Sequence, residues 1–136
     1  MNINMKEIQN FKNKTKNMRV LFIDDDELAR ESTYTLLNSL LGMVMTASDG
    51  EEGLETYKRF ALQFYDLIIT DITMNKMNGL EMIKEIKEYN PNQKTIIISA
   101  HNEYKSKAAI LGVDGYIVKP LKLNQLLEVI SDVLEL

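Results

Sequence analysis

Residues 19–26 read RVLFIDDD, an apolar run that ends in three aspartates. The run shows no alternation of polar and apolar residues, which is typical of a strand buried on both faces of a parallel sheet. Helical periodicity follows from Glu27 to about Leu40, and Gly42 is expected to end that helix as its C-terminal glycine. The stretch therefore predicts a βα unit whose strand delivers carboxylates to its carboxyl end.

The same pattern recurs four times along the chain. Further strands are predicted at residues 43–47, 66–70, 95–99 and 116–118. Helical patterns follow them at about residues 51–60 with a cap at Ser48 or Asp49, from Leu80 up to Asn90-Pro91, at about 102–111 before Gly112, and from Leu123 onward. Five such units predict an α/β fold, (βα)5, with a doubly wound parallel sheet of five strands and helices on both faces.

Composition excludes several classes of protein. The chain has 136 residues, of which 45% are hydrophobic and 26% charged, as expected for one globular domain. It has no cysteine, which excludes disulfide frameworks and thiolate zinc sites. Its net charge of −4 argues against direct nucleic acid binding, which needs a basic face. No apolar run approaches the ~20 residues of a membrane helix, so we expect a cytoplasmic protein with no membrane association.

The N-terminal segment differs from the rest of the chain. Residues 1–19 carry a net charge of +4 and the remainder −8, and the first seventeen residues include five asparagines. We interpret residues 1–17 as a polar basic extension and residues 18–136 as the domain. Ile3, Ile8 and Phe11 are spaced for a weak apolar stripe on a short helix. Because asparagine is a poor helix former, a frayed or disordered tail is the favoured expectation.

Polar side chains follow four of the five predicted strands, at the sheet edge where ligands of open α/β folds bind. They are Asp24, Asp25, Asp26, Asp71, Ser99 and Lys119. Neighbouring carboxylates repel unless a cation lies between them, and Mg²⁺ prefers oxygen ligands. A lysine and a hydroxyl beside them suit a phosphate-like dianion. The set predicts Mg²⁺-dependent phosphoryl transfer onto an aspartate, while Asp26 is expected only to cap the first helix.

The chain resembles the receiver domain of two-component response regulators over about residues 18–136. Four segments carry the resemblance, in order and at matching strand ends: RVLFIDDDELARE at 19–31, DLIITDITMNKMNGLEMIKEIK at 66–87, IIISA at 96–100 and GYIVKPL at 115–121. The resemblance implies a flavodoxin-like fold with strand order 2-1-3-4-5. It also implies a role in phosphorelay signal transduction rather than enzymatic turnover, with at most self-dephosphorylation.

The resemblance assigns the acceptor and the metal ligands. Asp71 is expected to be the phosphoacceptor and also a Mg²⁺ ligand. Asp25 is expected to bind Mg²⁺ directly and Asp24 mostly through water, with the backbone carbonyl of Thr73 as a further ligand.

The resemblance also assigns the phosphoryl contacts and a switch. Lys119 is expected to pair with the phosphoryl oxygens, and its bond to Pro120 to be cis. The Ser99 hydroxyl is expected to move onto the phosphoryl group, and Tyr116 to turn inward as a result. Simple packing of the Tyr116 ring is the alternative, because an aromatic ring packs equally well in either position.

Two positions near the acceptor are distinctive. Thr73 and His101 occupy the pair that tunes loss of the phosphoryl group in the family, although an exposed loop histidine is an equal alternative for His101. Asn75 stands where many receivers have proline, which predicts a more mobile loop after Asp71.

The implied partners are a sensor histidine kinase or a phosphotransfer protein upstream. Downstream, the face built from the fourth predicted helix, the fifth strand and the fifth predicted helix is expected to bind an effector domain, an effector protein or a second copy of the chain. Any output must come from such a surface or from a domain absent here.

Three other functions fit the sequence less well. A Mg²⁺-dependent phosphohydrolase would need a second acid two residues past its nucleophile, where this chain has Thr73. A pseudo-receiver would not need the full set of acidic, hydroxyl and lysine side chains. A flavin-binding relative would want a phosphate-binding loop after the first strand, where three aspartates would repel the phosphate.

Overall fold

The computed structural model describes residues 3–136. One parallel sheet has the order β2-β1-β3-β4-β5, with strands β1 Arg19–Ile23, β2 Met43–Ala47, β3 Leu67–Thr70, β4 Thr95–Ser99 and β5 Gly115–Val118. The helices are α1 Met5–Thr15, α2 Glu27–Leu40, α3 Gly50–Lys58, α4 Gly79–Tyr89, α5 Lys105–Ile110 and α6 Leu123–Leu134. The flavodoxin-like (βα)5 prediction is confirmed, with α1 as an additional helix in front of it.

Both faces of the sheet are covered, which explains why β1 lacks polar residues. Val20 and Phe22 contribute to the core under α1, α2 and α6, whereas Leu21 and Ile23 contribute to the core under α3, α4 and α5. All four side chains are at most 2% exposed. Successive strand residues point to opposite faces, so a strand between two helical layers must be apolar throughout.

Most predicted helix bounds agree with the structure, and the caps differ in detail. Asp49 caps α3, because its carboxylate accepts a hydrogen bond from the Glu52 N–H at 2.8 Å. Asp26 occupies the N-cap position of α2 as predicted, but its side chain makes no capping hydrogen bond. The fourth predicted helix is shorter than expected and comprises only α5.

Within the described part of the N-terminal segment, residues 3–17, the expectation of a frayed or disordered tail is wrong; residues 1 and 2 lie outside the described residues. α1 is a helix of eleven residues, and Phe11 on it is only 6% exposed. Ile3 and Ile8 pack against the same core cluster. The apolar stripe therefore outweighs the poor helix propensity of asparagine, because packing of one face supplies most of a helix's stability in a protein.

The end of α1 is joined to the turn after α2. The buried Thr15 hydroxyl donates a hydrogen bond to the Leu40 carbonyl at 2.9 Å, and the Gly42 N–H donates to the Thr15 carbonyl at 3.0 Å. A Cβ atom at Gly42 would lie 2.2 Å from the Lys16 carbonyl oxygen. Gly42 also lacks the positive φ expected of a C-terminal glycine, so close approach of α1, not helix termination, requires glycine here.

No helix within residues 3–136 is long and apolar enough to cross a membrane.

Candidate functional site

The sheet register brings Asp24 and Asp71 to adjacent strand ends. Ile23 on β1 pairs with Thr70 on β3, so the two aspartates follow at the same level. The Asp71 N–H donates to the Ile23 carbonyl at 3.0 Å and continues the ladder. The carboxylates therefore meet because of the strand pairing, although they are 47 positions apart in sequence.

The register also places Lys119 beside this edge. Ser99 at the end of β4 pairs with Val118 at the end of β5. The Lys119 N–H donates to the Ser99 carbonyl at 2.8 Å, and the peptide bond from Lys119 to Pro120 is cis, as predicted.

The Lys119 ammonium joins the two carboxylates. Its Nζ lies 3.1 Å from Oδ2 of Asp71 and 3.8 Å from Oδ2 of Asp24. The Asp24 side chain is 3% exposed, the Asp71 side chain 15% and the Lys119 side chain 32%. One partly exposed lysine thus offsets the repulsion between two largely buried carboxylates.

Burial raises the pKa of the Asp24 carboxyl, because desolvation disfavours its charged form. Its Oδ1 accepts a hydrogen bond from the Asp26 N–H at 3.0 Å, and this bond together with Lys119 acts in the opposite direction. The neighbouring carboxylates of Asp71 and Asp25 add to the upward shift. A further positive charge at this site would favour the ionised form.

The Asp71 carboxylate is held at both of its oxygens. Oδ1 accepts a hydrogen bond from the Ile72 N–H at 2.6 Å, and Oδ2 accepts one from Lys119. The Thr70 hydroxyl donates to the Asp71 carbonyl at 2.8 Å. The carboxylate is therefore fixed in orientation at the carboxyl end of β3.

Asp25 lies half-buried beside the pair, and its Oδ2 accepts a hydrogen bond from the main-chain N–H of Asn75 at 3.1 Å. Thr73 lies in the loop between β3 and α4 with an exposed side chain. Within residues 3–136, no three acidic or histidine side chains form a ready-made metal cluster. The three aspartates nevertheless supply only hard oxygen donors, and Asp24 and Asp71 already share one cationic group, so the residues present fit Mg²⁺.

Ser99 and Tyr116 are connected through the backbone of His101. The buried Ser99 Oγ accepts a hydrogen bond from the His101 N–H at 3.0 Å, and the Tyr116 hydroxyl donates to the His101 carbonyl. The Tyr116 ring is half-buried, and burial raises the pKa of its phenol. The His101 side chain is 49% exposed, with Nδ1 3.6 Å from Oε1 of Glu103. The contacts of His101 with Ser99 and Tyr116 are made by its main chain. A role of its imidazole in tuning the loss of the phosphoryl group stays a prediction.

Two contacts at the site were not foreseen from the sequence. The Arg30 guanidinium donates to the Asp24 carbonyl at 2.8 Å, and the Asn75 main chain binds Asp25. A helix position seven residues past a strand end carries no distinctive signal in a single sequence. A main-chain N–H donor also leaves no signal in the sequence, because every residue except proline has one.

Comparisons with known proteins agree on one family. Residues 20–131 match the model of the response regulator receiver domain. The chemotaxis protein CheY of Treponema pallidum (strain Nichols) is 40% identical over 120 residues, which cover 86% of this chain and 83% of the relative.

Two solved structures are similar along most of their length. The Thermotoga maritima response regulator protein TrrA, in complex with Mg²⁺ and BeF, has a TM-score of 0.77 and 31% identity, covering 85% of this chain and 98% of the other. A chain of the CheX–CheY–BeF3–Mg²⁺ complex from Borrelia burgdorferi has a TM-score of 0.75 and 31% identity, covering 85% and 88%.

Proposed function

Because this chain belongs to the response regulator receiver domain family of two-component signalling, we propose that Asp71 accepts a phosphoryl group from a sensor histidine kinase or a phosphotransfer protein. The 3.1 Å contact between Lys119 and Asp71 carries the proposal. It places a cation where the phosphoryl oxygens would lie, beside a carboxylate that is already positioned. In the same proposal, residues 18–136 form the receiver, residues 1–17 are an extension and the protein is cytoplasmic.

The transfer moves the phosphoryl group from a phosphohistidine of the partner to a carboxylate oxygen of Asp71. A lone pair of that oxygen forms the new P–O bond, and the P–N bond breaks with its electron pair remaining on the imidazole. The ionised carboxylate needs no general base, so positioning and charge neutralisation supply the catalysis. Lys119 then pairs with the phosphoryl oxygens in place of the Asp71 oxygen that it now contacts.

The donor set supports a Mg²⁺ requirement. Asp25 and Asp71 would hold the ion directly, Asp24 mostly through water, and the Thr73 carbonyl would complete the protein ligands. A bound Mg²⁺ would neutralise charge on the phosphoryl oxygens. Related receivers have been crystallised with Mg²⁺ and beryllofluoride, which supports the same assignment.

The contacts around His101 suggest how phosphorylation changes the surface. When the Ser99 hydroxyl moves onto the phosphoryl group, the His101 N–H loses its acceptor at 3.0 Å. The loop then rearranges, the Tyr116 hydroxyl leaves the His101 carbonyl, and the ring turns inward. The face formed by α5, β5 and α6 changes shape and binds an effector domain, an effector protein or a second copy of the chain.

This role is that of a signalling domain, with at most self-dephosphorylation as its own turnover. Thr73 and His101, on the loops that follow β3 and β4, are the positions proposed to tune the lifetime of the phosphoryl group.

The test is incubation of the full chain with acetyl phosphate, with and without Mg²⁺, followed by intact mass measurement. We expect one Mg²⁺-dependent phosphoryl adduct on the wild type and on the matched control Asp132→Asn, which changes an exposed aspartate on α6. We expect none on Asp71→Asn. An adduct that forms equally without Mg²⁺, or that persists in Asp71→Asn, would overturn the proposal.

A further inference from the structure

One hydrogen bond connects the loop after β3 to the acidic end of β1. The main-chain N–H of Asn75 donates to Oδ2 of Asp25 at 3.1 Å across 50 positions in sequence. Within residues 3–136, the structure gives Oδ1 of Asp25 no hydrogen-bond donor. One oxygen of this carboxylate is therefore fixed while the other is free to bind a ligand.

The loop is held in place independently of Asp25. Its ends are joined by a hydrogen bond from the Gly79 N–H to the Ile72 carbonyl at 2.9 Å. Met74 is 9% exposed and packs in the core under α3, α4 and α5. The backbone of Met77 lies so close to α3 that a Cβ atom at Gly50 would lie 2.1 Å from its carbonyl oxygen.

These contacts give the Asn75 donor a defined position beside the half-buried Asp25 side chain. We propose that the Asn75 main-chain N–H is a positioning group for divalent cation binding: it holds Oδ2 of Asp25 and presents Oδ1 to the cation. The inference rests on the proposed function, in which Asp25 is a direct Mg²⁺ ligand.

The effect follows from the cost of ordering a ligand. An unrestrained aspartate loses rotamer freedom when it binds a cation, whereas a carboxylate already held by a donor has lost part of that freedom beforehand. Outer-shell hydrogen bonds to ligating groups typically change metal affinity about 10–100-fold when they are removed. Proline at position 75 removes this donor, whereas any other residue keeps it.

The first experiment is calorimetric titration of the full chain with MgCl2, comparing the wild type with Asn75→Pro and Asn75→Ala. We expect Asn75→Pro to weaken Mg²⁺ binding by about tenfold. Asn75→Ala removes the side chain but keeps the main-chain donor, and we expect its affinity to stay within about twofold of the wild type. Equal affinity of all three proteins, or tighter binding by Asn75→Pro, would overturn the inference.

The second experiment needs no variant and so does not depend on how proline affects the loop. Amide hydrogen exchange of Asn75 is measured by NMR in the wild type with EDTA and then with saturating Mg²⁺. We expect slower exchange with Mg²⁺, because the cation and the Asn75 donor hold the same carboxylate through different oxygens. Faster exchange would mean that the cation displaces the donor, which contradicts the inference.

The two experiments separate this inference from the proposed function. A wild-type chain that binds no Mg²⁺ would overturn both. A wild type that binds Mg²⁺ and forms the Asp71 adduct, with an Asn75→Pro variant of unchanged affinity, would overturn only the positioning role of Asn75.

Discussion

Lys119 and Asp71 are 48 residues apart in sequence, yet the Lys119 ammonium lies 3.1 Å from Oδ2 of the Asp71 carboxylate. The same ammonium is 3.8 Å from Asp24, so it lies near the position where a divalent cation or a phosphoryl group is proposed to lie. Lysine is a single charge on a flexible stem and can follow its partner when the charges rearrange.

Lys119→Met is expected to separate cation binding from phosphoryl binding. Removing a positive charge next to the carboxylates should tighten Mg²⁺ binding by roughly fivefold or more, because two like charges about 4 Å apart repel by about 1 kcal/mol even in water. Beryllofluoride binding should be lost, because its fluorine atoms, which stand in for phosphoryl oxygens, would lack the lysine that pairs with them. Calorimetric titrations with Mg²⁺ alone and with beryllofluoride check both effects, and weaker Mg²⁺ binding would contradict the assignment.

Asp24→Asn is expected to stabilise the metal-free protein at neutral pH by about 1 kcal/mol. Burial raises the folded-state pKa of Asp24 above its ordinary value of 3.8. The folded state therefore binds this proton more tightly than the unfolded state. The resulting stability is present below pH 3.8 and is lost as the pH rises through the folded-state pKa. The variant avoids that loss and keeps an oxygen to accept the Asp26 N–H.

Urea unfolding in EDTA measures the difference in the free energy of unfolding between the wild type and Asp24→Asn. It is carried out at neutral pH and again at a pH near the pKa of a free carboxyl. The stabilisation by Asp24→Asn should shrink as the pH falls, because Asp24 becomes neutral in the wild type. Added Mg²⁺ should stabilise the wild type more than the variant. A variant that is less stable than the wild type at every pH would contradict the prediction.

Tyr116→Phe is expected to weaken the unphosphorylated arrangement of the switch. It removes the hydroxyl that donates to the His101 carbonyl, a bond worth about 1 kcal/mol net. Beryllofluoride should then bind about fivefold more tightly, because less free energy is needed to release the ring. Fluorescence is unsuited to a chain without tryptophan, so NMR titration is the measurement. Unchanged affinity would favour simple packing of the ring.

Phe11→Ala is expected to lower the free energy of unfolding by about 3 kcal/mol, because it empties a buried aromatic site in the core. Met5→Ala on the same helix is the control. Met5 is 79% exposed, so the change should be within about 0.5 kcal/mol. Denaturant unfolding of both variants checks the comparison, and equal small effects would show that α1 does not contribute to the fold in solution.

Much of the fold was predictable because the strands are short, apolar and bounded by polar residues. The apolar run before Asp24 and the one before Asp71 each predicted a strand and the position of its carboxyl end. Parallel sheets bring such ends to one edge. The N-terminal helix was not predictable in the same way. Its asparagines lower helix propensity locally, whereas burial of Phe11 depends on a surface assembled from distant residues.

The sequence by itself determined which chemical groups reach the site, because Asp24, Asp71 and Lys119 are specified by their places after strands. Tertiary structure decided how those groups are paired. It directed Lys119 to both carboxylates, joined Ser99 to Tyr116 through the main chain of His101, and placed the Asn75 N–H on Asp25. Main-chain donors and acceptors are common to almost every residue, so only the packing of loops against the core selects which of them face a given side chain.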